Sequence, residues 1–193
     1  MDPGHAPGPG QALSSGMFSR VALIAGGTDD VGLAIARDLR ADGLRVAVQG
    51  PPTLWAKNVA ELNDFIFLAL DDAFTEDTLS RALDELTWVY RTLDVLVTVS
   101  APDAALPAAL ARRVADRLGE RGEGRLVHVT LGGPPAWTPE PARRGLTVNA
   151  VHADLPSGQA RPLSAGDVAA LVRMLVQPAG WCVTGTTLHL AGR

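Results

Sequence analysis

Short, nearly continuous apolar runs recur along this chain, and stretches of helical period separate most of them. The runs are Val21–Ala25, Leu44–Val48, Phe65–Leu70, Val95–Val99, Leu126–Leu131, Leu146–Val151 and Thr187–Leu190. A strand that is apolar at consecutive positions has both faces covered, which is the condition of a parallel sheet between two helical layers. The intervening helices are expected over Val31–Ala41, Leu54–Leu62, Thr75–Arg91, Ala104–Leu118 and Ala165–Val176. In the first, Val31, Ile35 and Leu39 fall on one side; in the third, Leu79, Leu83 and Leu86 do. Alternating strand and helix with right-handed crossovers predicts an α/β fold: one doubly wound, mainly parallel, Rossmann-like domain over residues 18–193. Ligands of such sheets sit beyond the carboxyl ends of the strands.

One crossover breaks the pattern. Between Leu131 and Gly145 lie thirteen residues, GGPPAWTPEPARR, with prolines at 134, 135, 139 and 141. Each proline lacks a backbone donor, so a Pro-rich loop replaces the crossover helix there and leaves part of the sheet face short of cover. A protein partner or a second copy is expected to cover it. The first seventeen residues are rich in Pro and Gly and are expected to form a flexible tail without the features of a signal peptide.

Composition removes several classes of function. The net charge of −4 argues against a nucleic-acid partner. The absence of a long apolar run argues against a membrane span, and a cytoplasmic location is expected. Cys182, the one cysteine, excludes an intrachain disulfide and reads as a small buried residue, while His5, His128, His152 and His189 show no metal-ligand spacing. No metal site is expected.

Several segments together resemble the short-chain dehydrogenase/reductase family. VALIAGGTDDVGLAIARDL is similar to its first strand, glycine loop and helix. LDVLVTVSAP resembles its fourth strand and Asn-Asn-Ala-Gly segment, and GRLVHVTLGG the fifth strand leading to the catalytic serine. GLTVNAVHADLP and DVAALVRMLVQPAGWCVTGTTLHLAGR resemble the sixth strand and the C-terminal helix, loop and strand. The resemblance implies an NAD(P)-binding fold, with Gly26, Gly27, Thr28, Asp30, Gly32 and Asp71 at the cofactor position. It also implies an acid–base set of Ser, Tyr and Lys, and here the chain departs from the family. Leu131 stands at the serine position. The one tyrosine, Tyr90, follows the one lysine, Lys57, by 33 positions, so no Tyr-x-x-x-Lys pair exists. Asp30 replaces the second glycine of the loop, adding a side chain and a negative charge where a phosphate would approach. Asp29 or Asp30 is expected to cap the helix instead. At the second strand's end, Gln49–Gly50 supplies neither the acid that suits NAD nor the arginine that suits NADP. The expectation is therefore no dinucleotide, or weak NAD(P) binding.

Candidate chemical groups remain at the strand ends. Ser100 and Thr130 carry hydroxyls there, and His152 with Asp154 is the best-placed titratable pair, expected in an irregular segment after the sixth strand. Trp137 in the Pro-rich loop and Trp181 are possible walls of a pocket for a small-molecule ligand. Three readings follow: a non-redox accessory or regulatory protein; a repurposed cyclase, isomerase or dehydratase; and an NAD(P)-dependent oxidoreductase with His152 as acid.

Overall fold

The computed structural model describes residues 20–69, 76–90, 92–100, 114, 118, 124–133, 145–154 and 163–192. Strands β1 (Val21–Ala25), β2 (Arg45–Gly50), β3 (Ile66–Ala69), β4 (Val95–Ser100), β5 (Gly124–Leu131), β6 (Leu146–Asp154) and β7 (Thr186–Ala191) form one sheet. Its order is β3-β2-β1-β4-β5-β6-β7, and every described pairing is parallel. Helices α1 (Asp30–Ala41), α2 (Leu54–Leu62), α3 (Glu76–Tyr90) and α4 (Ala165–Val176) flank it, with a 3-10 turn at Pro178–Cys182. The α/β doubly wound architecture expected from the apolar runs is the one found.

Each face of the sheet carries its own core. On one face Ile24, Val48, Val97, Val129 and Val151 meet α1 through Ile35 and Leu39 and α4 through Val168, Val172 and Leu175. On the other, Leu23, Leu96, Leu126 and Val148 meet Leu83 and Leu86 of α3, together with Val114 and Leu118. Consecutive strand residues go to opposite cores, which is why the strands read as unbroken apolar runs.

The path of the chain departs from expectation at its end. The β1–β2 crossover runs toward β3 with α1 on the first face. The β6–β7 crossover runs the opposite way across the sheet, yet α4 lies on that same first face, against α1. The two crossovers therefore have opposite hands, and the uniform right-handedness expected of such connections does not hold at β7. Packing supplies the reason. The Val168, Val172, Leu175 side of α4 is buried against α1, and Arg173 of α4 holds Asp42 just past the end of α1 with bonds of 2.7 and 2.5 Å, joined by Gln177 at 2.7 Å.

The 1–17 tail and Asp71 lie outside the described residues. So do the Pro-rich segment beyond Gly133, with Trp137, and nearly all of the helix expected over Ala104–Leu118. No helix among the described residues is long and apolar enough to cross a membrane.

Candidate functional site

The turn from β1 to α1 is built by close approach. Gly26 adopts φ +82°, a region that glycine enters without steric cost. A Cβ at Gly26 would strike the Val99 carbonyl, and one at Gly32 would strike the Gly26 carbonyl. Opposite, a Cβ at Gly50 would run into the buried side chain of Thr28. The glycines at 26, 32 and 50 thus let the turn, the helix and the second strand touch.

The amides of this turn are bonded to side chains of the chain itself. Asp29 is the N-cap of α1, and the Gly32 N–H donates to its Oδ1 at 2.5 Å. Gln49, at the end of β2, accepts from the Gly26 N–H through Oε1 at 3.3 Å and from the Gly27 N–H through its backbone carbonyl at 3.2 Å. Of the two aspartates considered as caps, Asp29 does the work and Asp30 stands exposed in the first turn. Burial pushes the Asp29 carboxyl above its ordinary range, the Gly32 amide opposes that shift, and the neighbouring Asp30 charge adds to it. The turn keeps the shape of a phosphate cradle, but its donor set matches a pyrophosphate poorly. A carboxylate already occupies the helix N-terminus, where an anion would bind.

A second group of polar residues lies across the carboxyl ends of β4 to β7. Ser100 pairs with Thr130, Thr130 with His152, and His152 with His189, so four polar residues stand side by side on the face that carries Leu96, Leu126 and Val148. Adjacent strands are about 4.8 Å apart, which spaces the row evenly. Ser100 Oγ, Thr130 Oγ1 and His152 Nδ1 are buried, and none finds a hydrogen-bond partner among the described residues. The His152 and His189 rings meet edge to face with centroids 5.3 Å apart. One step back from the mouth, Thr98 Oγ1 and His128 Nδ1 are 2.6 Å apart, and burial holds the His128 imidazole below its usual pKa. His128 is packed, as its place inside a strand implies.

Three expectations are corrected here. His152 and Asp154 are not in an irregular loop: β6 continues through Asp154, putting the two on one side of the strand, with His152 half-buried and Asp154 exposed one step nearer the mouth. Cys182 is exposed rather than buried: it ends the 3-10 turn, in which Gly180 is the buried residue. Trp181 lies away from the strand ends that hold the candidate site. It lines a cavity at the amino ends of β1, β4 and β5 with Arg20, Asp94 and Arg125, and the Arg125 guanidinium sits 4.4 Å from its ring centroid.

Sequence reasoning passed over Gln49 as a turn ligand and His189 as a member of the row. For His189 a signal existed: Thr187 and His189 alternate with Leu188 and Leu190, the pattern of a strand with one polar face. Leu131, at the position of the family's serine, turns to the opposite face and packs in the first core. Among the described residues no three metal-ligating side chains cluster.

The fold is that of the short-chain dehydrogenases/reductases, as the sequence resemblance implies. The chain superposes on the TT0495 protein from Thermus thermophilus with a TM-score of 0.71 and 21% identity, covering 90% of this chain and 98% of that one. It superposes on gox2181 at 0.72 and 17%, over 89% and 94% of the two chains. With a citronellol catabolism dehydrogenase, AtuB of Pseudomonas aeruginosa PAO1, the values are again 0.72 and 17%, over 89% and 92%. At such identities the likeness concerns the fold alone. No protein-family profile matches the chain, and no curated protein sequence does.

Proposed function

We propose that this protein keeps the short-chain dehydrogenase/reductase fold without its hydride-transfer chemistry and acts as a cytoplasmic accessory or regulatory protein. The observation that carries this reading is the Asp29 carboxylate bonded to the Gly32 amide at the start of α1. A phosphate brought to that helix end meets a like charge at close range. That repulsion is about 1 kcal/mol in water and about 4 kcal/mol at an effective dielectric of 20 for charges about 4 Å apart. Asp30 stands beside it, Leu131 has no proton to give, and Gln49 is committed to the turn. Binding of NAD(P) is accordingly absent or weak. A small-molecule ligand at the carboxyl ends and a protein partner or second copy over the sheet face next to the Pro-rich crossover complete the proposal.

A second reading, a repurposed non-redox enzyme, is supported by the Ser100–Thr130–His152 row. Buried hydroxyls and an imidazole nitrogen without described partners are costly unless something bonds to them. A small carbonyl or hydroxyl compound meets that need. His152 would move the proton, with Ser100 and Thr130 holding the oxygen and Asp154 nearby.

Fluorescence titration of NADH and NADPH, with an assay for oxidation of the bound nicotinamide, tests the main reading. Dissociation constants near or above about 1 mM and no turnover are expected. Micromolar binding with turnover would restore the oxidoreductase reading. Loss of a measured non-redox turnover in His152→Ala would favour the second.

A further inference from the structure

We infer that α2 is the contact surface of a homodimer in which two copies of the chain pack antiparallel, α2 against α2. The helix is amphipathic the wrong way round. Toward the sheet it buries Ala56 and Ala60 fully, with Val59 partly covered. Toward solvent it presents Leu54 at 75%, Trp55 at 58% and Leu62 at 85% exposure. A helix stabilised only by its own sheet would carry its large apolar residues inward.

The occupant follows from the arrangement of the exposed face. At 100° per residue Asn58 points straight out from the sheet, Trp55 and Leu62 lie on one flank, and Lys57 and Glu61 on the other. A twofold axis beside Asn58, normal to the plane of two antiparallel helices, sets Leu54 of each copy level along the helix with Leu62 of the other. The same axis brings apolar flank to apolar flank and charged flank to charged flank. There Lys57 of each copy faces Glu61 of the other, exchanging the pair these side chains make within one helix at 3.9 Å. The two Asn58 amides meet at the axis, each able to donate and accept. A surface that complements itself under a twofold is what an isologous dimer requires. Three exposed large side chains, one of them tryptophan, supply the anchors such contacts depend on. With nine residues in α2 the contact is small, which places the dimer among weak, reversible ones.

Sedimentation velocity of the full chain from about 1 to 200 µM, a range that brackets a weak dimer, reads the outcome. A monomer–dimer equilibrium is expected. Leu62→Lys should weaken it at least tenfold, on the order of 1.4 kcal/mol, with an unchanged circular dichroism spectrum. Lys57→Glu and Glu61→Lys should each weaken it, because like charges then face each other across the axis. An equimolar mixture of these two variants should associate again, since each reversed charge meets its opposite. A change confined to the fold of one chain would not be repaired by mixing. A monomer throughout the range, a dimer indifferent to Leu62→Lys, or a mixture no tighter than its components would each overturn the inference.

Discussion

Asp29 performs two roles that pull against each other. As an N-cap it satisfies an amide at the start of α1, a contribution of about 1 kcal/mol. As a partly desolvated acid at the helix start it costs solvation, and its carboxyl titrates above the ordinary range for that reason first. The folded pKa being the higher, the ionisable group contributes stability that is fully present below the unfolded value near 3.8 and is lost as pH rises through the folded value. Asp29→Ala should lower unfolding free energy by about 1 kcal/mol in urea denaturation. Asp29→Asn, an equally good cap with no charge to desolvate, should hold or raise stability at pH 7 and remove that loss with rising pH. His128 works in the other direction. Its folded pKa is depressed by burial, so its contribution is present above the unfolded value near 6.5 and is lost as pH falls toward and through the folded value. Comparing unfolding free energies at pH 7.5 and 5.5 should show a smaller difference in His128→Asn than in the wild type.

At the scale of elements, two joints hold the fold's unusual path. The first is the contact of α1 with its own turn, where Gly32 lies against the Gly26 carbonyl. Gly32→Ala forces backbone apart and should cost about 1–3 kcal/mol, read as a lower urea midpoint. The second is the tie between Asp42 and Arg173, which fastens α4 beside α1 and with it the opposite-handed return to β7. The Arg173 hydrogen bond holds the Asp42 carboxyl below its usual range. The stability this gives is present above the unfolded pKa near 3.8 and is lost as pH falls through the folded value. Asp42→Asn should therefore lower the thermal midpoint at pH 7 and flatten the acid side of the stability curve.

Over the whole molecule, the sheet was the legible part. Val21–Ala25 and Val95–Ser100 are buried at nearly every position, and unbroken burial is what an apolar run encodes. The turn was half legible: glycines 26 and 32 announced it, but nothing local shows that Gln49, eighteen residues past Val31, reaches back to the Gly26 amide. The polar row was the least legible feature. Ser100, Thr130, His152 and His189 come together only through the register of four strands, and His-Ala-Asp after Val151 reads locally as loop. The hand of the last crossover was illegible for a related reason, since it depends on which face of α4 meets α1. The inverted face of α2 was visible in the sequence as Leu54, Trp55 and Leu62, but its direction depends on which side the sheet takes.

Calorimetric titration of NAD and NADP into the wild type and into Asp29→Ser/Asp30→Gly bears most directly on the proposal that the chain has lost hydride-transfer chemistry. The wild type should give no saturable heat below about 1 mM, and the double variant, with the carboxylates gone from the helix end, should bind at least tenfold more tightly. A wild-type dissociation constant in the low micromolar range would contradict the proposal that the chain's own carboxylate has taken the place of the cofactor's phosphate.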